Sequence, residues 1–179
     1  MLTTLPCLLV LATMTADISQ LAARLGSADA AQQQEAAEQL ARLGSDAQPA
    51  AVELAVATGA EDETTRDWAV AALEELGPPK ESDVARLAAL VGHKSLDTAF
   101  WSITLLGRLG ASANAAVEPL AKVLGDKQAE LPVRQKAAWA LGKIGPAASP
   151  AKEALKAASA ESDKRLAQLA SEALQQVGG

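Results

Sequence analysis

Hydrophobic residues recur at fixed distances before a series of five glycines. Leucine stands four residues before each of them, at Leu40, Leu73, Leu106, Leu141 and Leu174. A small residue stands eight before, at Ala36, Ala69, Ser102, Ala137 and Ala170. The residue just before the glycine is Leu43, Leu76, Leu109, Ile144 or Val177. Offsets of eight, four and one lie on one face of an α-helix, so the pattern predicts a helix with one buried stripe in every repeat.

The glycines form two series whose regular spacing sets the repeat. The first series is Gly44, Gly77, Gly110, Gly145 and Gly178, evenly spaced except that the step from Gly110 to Gly145 is slightly longer. The second series, Gly26, Gly59, Gly92 and Gly125, keeps the same even spacing throughout. Glycine suits the left-handed conformation that closes many helices. The sequence therefore predicts two helices per repeat, called here first helices and second helices after the series that closes them. Gly77 and Gly110 in particular are predicted to be left-handed.

The second helices have their own leucine, five residues before the closing position, at Leu21, Leu54, Leu87 and Leu120. Leu155 continues this series if Ala160 replaces a fifth glycine. Helices are predicted near 17–25, 30–43, 48–58, 63–76, 82–91, 96–109, 115–124, 132–144, 148–158 and 163–177. They make five repeat units, 17–44, 45–77, 78–110, 111–145 and 146–178. Each helix is too short to be stable alone, so stacking on neighbours must supply the stability.

One segment, VRQKAAWALGKIGPAASPAKEALKAA at residues 133–158, resembles the HEAT-like repeats, including their bacterial branch related to phycobilisome lyases. Arg134 and Arg66, eleven residues before their glycines, are similar to that family's arginine near the start of the first helix. The other units depart from the pattern with Gln33, Ala99 and Ala167 at this position. The resemblance covers residues 17–178. It implies an all-α fold, a right-handed α-solenoid (α-α superhelix) of about five HEAT-like helix pairs whose second helices line the concave face.

Composition and charge narrow the range of partners. Aromatic residues are rare, namely Trp68, Trp101, Trp139 and Phe100, so closely packed small residues must form the core. The net charge of −6 opposes a general role in binding nucleic acid, because phosphates need a basic surface. Cys7 is the one cysteine, which leaves no intramolecular disulfide to form.

Residues 1–16 carry no charge and include an apolar run from Leu5 to Ala12 that is too short to span a bilayer. They fit a secretory signal, with Val10 and Ala12 as a small-residue cleavage site, although a positive n-region is missing. They also fit a degenerate first helix, or a start at Met14. A signal would make the protein periplasmic or secreted, and its absence would make it cytoplasmic.

Catalytic and metal-binding constellations are not expected. His93 is the one histidine, and its place after Gly92 suits a solvated turn. Carboxylates cluster at Glu61, Asp62 and Glu63, at Glu74 and Glu75, and at Glu161 and Asp163. The clusters at helix starts are interpreted as favourable charges at the positive end of the helix dipole. The sequence predicts no cofactor and no metal.

The tryptophans allow two interpretations. Trp68 and Trp101 lie nine residues before their closing glycines, one residue from the buried offset of eight. We expect partial burial between neighbouring first helices. The alternative is an exposed pair, one repeat apart, that forms a binding stripe for a partner.

A non-catalytic scaffold or adaptor that binds a protein or peptide is the leading hypothesis. Candidate contacts on the surface of the second helices are Glu53, Arg86, Glu118, Lys122, Lys152, Glu153 and Lys156, joined by Trp68 and Trp101. The resemblance also implies rivals: a bilin lyase or another enzyme-associated subunit, or a DNA glycosylase, which the acidic balance opposes. A purely structural envelope component is a third alternative.

Overall fold

The computed structural model describes residues 18–178, and within this range every regular element is a helix. The α-helices are α1 (18–25), α2 (Ala30–Leu43), α3 (Ala51–Ala57), α4 (Glu63–Glu75), α5 (Val84–Leu90), α6 (Leu96–Leu109), α7 (Val117–Gly125), α8 (Leu131–Ile144), α9 (Lys152–Ser159) and α10 (Lys164–Gly178). The 3-10 helices are Gly44–Ala50, Glu81–Asp83, Gly110–Ala116 and Gly145–Ala151. The predicted all-α class is confirmed. The expectations for residues 1–16 lie outside the described residues.

The chain divides into two compact units, with the boundary between Leu76 and Gly77. In the first unit, α4 packs against both α2 and α3. In the second unit, α8 packs between α6 and α10, while α7 contacts both α5 and α9. Within the second unit the first helices therefore form one row and the second helices form another, with the two rows packed on each other. This is the arrangement that the paired glycine series predicts.

The predicted buried stripe is present at the offsets of eight and four, whereas at the offset of one Leu43 and Leu109 are only half-buried. Leu40, Leu73, Leu106 and Leu141 are fully buried, and so are all five small residues at the offset of eight. Leu174 is half-buried, because α10 is the last helix that the structure describes and has a neighbour on one side. At that end Lys164 and Arg165 are exposed, Leu166 and Ala173 are buried, and Leu169 is half-buried. Small residues let neighbouring first helices approach closely, which explains a core with few aromatic rings.

Three glycines of the first series have positive φ, namely Gly44 (54°), Gly110 (59°) and Gly145 (71°). The left-handed prediction is confirmed for Gly110 and wrong for Gly77. Leu76, the residue before Gly77, already has an extended backbone (φ −68°, ψ 132°), so α4 ends before the glycine. Pro78 follows Gly77, and the residue before a proline is disfavoured in the helical region. The second series has no positive φ among the described residues. There hydrogen bonds between residues three apart close the helix, such as the bond that the Gly59 N–H donates to the Val56 carbonyl (3.0 Å).

The three left-handed glycines each begin a seven-residue 3-10 helix that leads into a second helix. Buried alanines line these segments at matching places: Ala47, Ala50, Ala113, Ala116, Ala148 and Ala151. The second helices α3, α7 and α9 consequently begin two to four residues later than predicted. In a 3-10 helix every third side chain lies on the same face, so alanines at this spacing let the connection pack closely against the core.

We expect Gly110→Ala to lower the free energy of unfolding by about 1–3 kcal/mol, because a side chain is strained at φ 59°, ψ −133°. Its Cβ would also lie 3.4 Å from the Lys143 carbonyl oxygen. Gly77→Ala is the matched control. Its φ is not positive and its Cβ would meet no atom within 4 Å, so stability should stay constant or rise by up to about 1 kcal/mol. Urea denaturation of both variants is the measurement, and equal losses would contradict the assignment.

Candidate functional site

Aromatic and basic side chains from three consecutive first helices meet on one surface. Phe100 of α6, Lys136 and Trp139 of α8, and Arg165 and Leu169 of α10 border one cavity of about 250 Å³. We call these five residues the aromatic–basic surface. The Lys136 ammonium lies 4.5 Å from the Phe100 ring centroid and 4.7 Å from the Trp139 ring centroid. Both distances are within the range in which a ring attracts a cation, so Lys136 is held between two rings on neighbouring helices.

A glycine positions Trp139. A Cβ added at Gly107 would lie only 2.2 Å from Cζ3 of the Trp139 indole, so this ring lies directly on the bare backbone of α6. Gly142 has the same place in the next first helix, where an added Cβ would lie 3.1 Å from the Ala173 Cα. Glycine three residues before the capping glycine therefore permits close approach between neighbouring first helices. Trp139 remains half-buried, with part of its ring on the surface.

The charged side chains that border this cavity are the cations Lys136 and Arg165, while Glu172 borders an adjoining cavity with Trp139 and Leu169. Partial burial of Lys136 lowers the pKa of its ammonium group, and the nearby cations Arg108 and Arg165 lower that pKa further. A carboxylate placed beside Lys136 would favour the charged form of its ammonium group and so oppose the lowering of its pKa. The surface is therefore electrostatically suited to an anionic group.

The predicted tryptophan candidates also lie on first helices. Trp101 of α6 follows Phe100, and their rings meet edge to face with centroids 6.1 Å apart and an interplanar angle of 84°. The Arg108 guanidinium lies 5.8 Å from the Trp101 ring centroid. Trp68 lies on α4 in the first unit. Both tryptophans are half-buried, so the expected partial burial is confirmed, and their pairing as a binding stripe stays a prediction.

The charged candidates of the second helices are spread over four helices. Glu53 is half-buried on α3, and the others are exposed on α5, α7 and α9: Arg86, Glu118, Lys122, Lys152, Glu153 and Lys156. Lys122 borders a groove of about 660 Å³ between α5 and α7, together with Pro119 and Ala88. The seven side chains lie on four different second helices, and their role stays a prediction.

His93 and the carboxylates have structural partners. The Ser95 N–H donates to His93 Nδ1 (3.1 Å). Asp62 accepts the Thr65 N–H (2.7 Å) and caps α4, while Asp163 accepts the Leu166 N–H (2.7 Å) and caps α10. The interpretation of these acids as helix-start charges is thus confirmed. Within residues 18–178 no group of His, Cys, Asp or Glu could hold a metal ion, and no helix there is long and apolar enough to span a membrane.

Near the start of α8, the buried side chain of Arg134 bonds to two neighbouring segments. Arg134 donates from Nε to the Leu124 carbonyl (2.9 Å) and from both terminal nitrogens to the Glu161 carboxylate (3.1 and 2.6 Å). Lys127 makes a further ion pair with Glu161. Hydrogen bonds from Arg134, then from Lys127, lower the pKa of Glu161 from 4.5 to about 2. This cluster links three segments of the second unit and serves its structure.

Comparison with known proteins agrees with this architecture. A family model described as HEAT repeats matches residues 84–175, just over half of the 179 residues. The chain belongs to the HEAT-repeat family. The match lies within the second unit, which contains the α6, α8 and α10 row. No curated protein sequence matches the chain.

Solved structures of a designed armadillo repeat protein and of two engineered proteins are similar in fold. A designed armadillo repeat protein in complex with the peptide (KR)4 has a TM-score of 0.62 at 17% identity, with 89% of this chain and 81% of that chain covered. Two engineered proteins have TM-scores of 0.60 and 0.59 at 21% and 19% identity. Each match covers 90% of this chain; it covers 79% of the first engineered protein and 48% of the second. These likenesses show the fold alone, and the fold is one typical of non-catalytic scaffolds.

Phe100, Lys136 and Trp139 are absent from the set of predicted contacts. One signal in the sequence bears on Trp139: Gly107 precedes its capping glycine by three residues, a place with no capping role, and Gly142 has the same place in the next first helix. An interior helix glycine costs stability, so it indicates a close contact such as the Trp139 ring.

Proposed function

We propose that this HEAT-repeat protein is a non-catalytic scaffold that binds an extended acidic segment of another protein on the aromatic–basic surface. The observation that carries the proposal is Lys136, held between two aromatic rings with Arg108 and Arg165 nearby. Half-exposed rings offer contact area at low entropic cost, and arginine and tryptophan are among the side chains most enriched at binding hot spots. The lysine and arginine groups supply charge complementarity to carboxylates.

The proposed partner is acidic, whereas the peptide in complex with the designed armadillo repeat protein is basic. On net charge alone, at −6, this chain would also favour a basic partner. Local charge acts over a Debye length of about 8–10 Å, so the cations beside a bound segment outweigh distant acids. The aromatic–basic surface consequently predicts the opposite preference.

We expect the labelled acidic peptide (ED)4 to bind the full chain more tightly than (KR)4 in fluorescence anisotropy. The affinity for (ED)4 should fall as salt is raised, because exposed charges are screened. Lys136→Glu should weaken (ED)4 binding at least about tenfold, since it removes a hydrogen bond to a charged group and adds repulsion.

Lys122→Glu is the matched control, because it makes the same charge reversal on α7, in the row of second helices. It should leave (ED)4 binding within about twofold. A loss with Lys122→Glu and none with Lys136→Glu would move the site to the second helices, as the sequence predicts. Preference for (KR)4 would overturn the acidic partner.

A further inference from the structure

In three first helices, the residue eleven positions before the capping glycine donates side-chain hydrogen bonds to main-chain carbonyls. Gln33 of α2, Arg66 of α4 and Arg134 of α8 each extend a polar side chain to main-chain carbonyls of the segment that precedes the helix. The donor–acceptor distances are 2.6 to 2.9 Å. Ser27, Ala60 and Glu61 lie in the loop after a second helix, and Leu124 lies in the last turn of one, so these bonds tie the end of a second helix or its loop to the next first helix.

Helix α6 has Ala99 at this position, and its side chain is a single methyl group. A cavity of about 300 Å³ lies beside Ala99, bordered also by Val91, Lys94, Asp126 and Glu130. We call it the Ala99 pocket. It is present where the repeat has lost its long polar side chain.

The wall of the Ala99 pocket repeats the surroundings of Arg134. Val91 lies one repeat before Leu124, whose carbonyl accepts from Arg134 Nε, and Lys94 lies one repeat before Lys127. Asp126 directly follows the closing position of its second helix, as Glu161 follows Ala160. The residues that match the carbonyl, the carboxylate and the lysine of an arginine site therefore border the pocket, and Ala99 stands in place of the arginine. Asp126 also accepts the Gln128 N–H through Oδ1 (2.9 Å), which leaves its Oδ2 to face a guanidinium.

We propose that the Ala99 pocket binds the guanidinium group of an arginine side chain supplied by a partner protein. A guanidinium donates several hydrogen bonds in one plane, so it can reach a main-chain carbonyl and a carboxylate together, as Arg134 does. Glu130 adds a second acid to the wall. Lys94 does not oppose this occupant, since Lys127 and Arg134 share the Glu161 carboxylate in the matching site.

This inference goes beyond the proposed function. The Ala99 pocket and the aromatic–basic surface have no residue in common. Because (KR)4 contains arginine, the comparison of (ED)4 with (KR)4 is also made with the Asp126→Asn variant, so that arginine binding in the pocket does not count against the acidic partner.

The test is a titration of the isotope-labelled full chain with N-acetyl-arginine methylamide, followed by amide chemical shifts. N-acetyl-lysine methylamide is the comparison probe. We expect saturable shifts at residues 91–94 and 126–130 with the arginine probe, and weaker, unsaturated shifts with the lysine probe. Asp126→Asn should weaken arginine binding at least about tenfold, the effect of losing a hydrogen bond to a charged group.

Ala99→Arg should fill the pocket from within the chain, raise the melting temperature and abolish the saturable shifts. Ala167→Arg is its control, because it adds arginine at the same offset in α10 and should leave probe binding unchanged. If the Ala99→Arg variant does not fold, the titration of the Asp126→Asn variant with the arginine probe is the deciding measurement. Equal responses to the two probes, or arginine binding that survives Ala99→Arg or Asp126→Asn, would overturn the proposal.

Discussion

Replacing Leu141 by alanine is expected to lower the free energy of unfolding by about 2–5 kcal/mol. Leu141 is fully buried on α8, which packs between α6 and α10. The close packing of this row leaves little freedom to collapse into the space of the lost side chain, so the cavity adds to the lost transfer energy. Leu106 has the same place on α6, and its replacement should cost a similar amount. Urea denaturation of both variants measures the change.

Leu174→Ala is the matched control, because Leu174 has the same offset in α10 but is half-buried. We expect it to lose clearly less stability than the two internal variants. A loss below about 1 kcal/mol at both Leu106 and Leu141 would mean that the stripe is not the core of the array.

The helix pairs could be predicted because their signal is local and repeated. Leucine four residues before a glycine, with a small residue eight before, marks the buried face of every first helix from α2 to α8. Each unit alone gives a weak signal, and its recurrence at a nearly constant period makes it strong. Asp62 and Asp163 were predictable for a similar reason, since a helix cap depends on residues within one turn.

The errors lie where the conformation depends on more than the repeat. Gly77 occupies a capping position, yet Leu76 before it already has an extended backbone, and Pro78 after it disfavours the helical region. The starts of α3, α7 and α9 were misplaced because helical periodicity does not separate an α-helix from the 3-10 turns that lead into it.

The aromatic–basic surface could not be derived from one helix. Trp139 lies six residues before its glycine, whereas Trp68 and Trp101 lie nine before, so the sequence does not place them at equivalent positions. The position of Trp139 becomes clear once α8 is packed on α6, with the ring over Gly107 and the Lys136 ammonium between the rings. Contacts between helices of different repeats carry this site, and periodicity within one helix does not report them.

Arg134→Met is expected to lower the free energy of unfolding by about 2–3 kcal/mol at neutral pH. Methionine keeps an unbranched apolar stem but leaves the Leu124 carbonyl without the Nε donor and removes two hydrogen bonds from Glu161. Lys127→Met is the matched control. Lys127 pairs with the same carboxylate, but its side chain is 64% exposed, so its loss should cost at most about 1 kcal/mol.

The pH dependence of the Arg134→Met effect separates a charge effect from simple loss of packing. In the folded chain the pKa of Glu161 is lowered from 4.5 to about 2, chiefly by its hydrogen bonds with Arg134. A carboxyl group with a depressed pKa in the folded state stabilises the fold fully above its unfolded pKa and loses this contribution as the pH falls through the folded value. The stability difference between wild type and Arg134→Met should therefore be constant at neutral pH and narrow between about pH 5 and pH 2. Thermal unfolding across this range measures it. A difference that stays constant down to pH 2 would show that Arg134 stabilises the second unit by packing and by its bond to the Leu124 carbonyl, and not through its pair with Glu161.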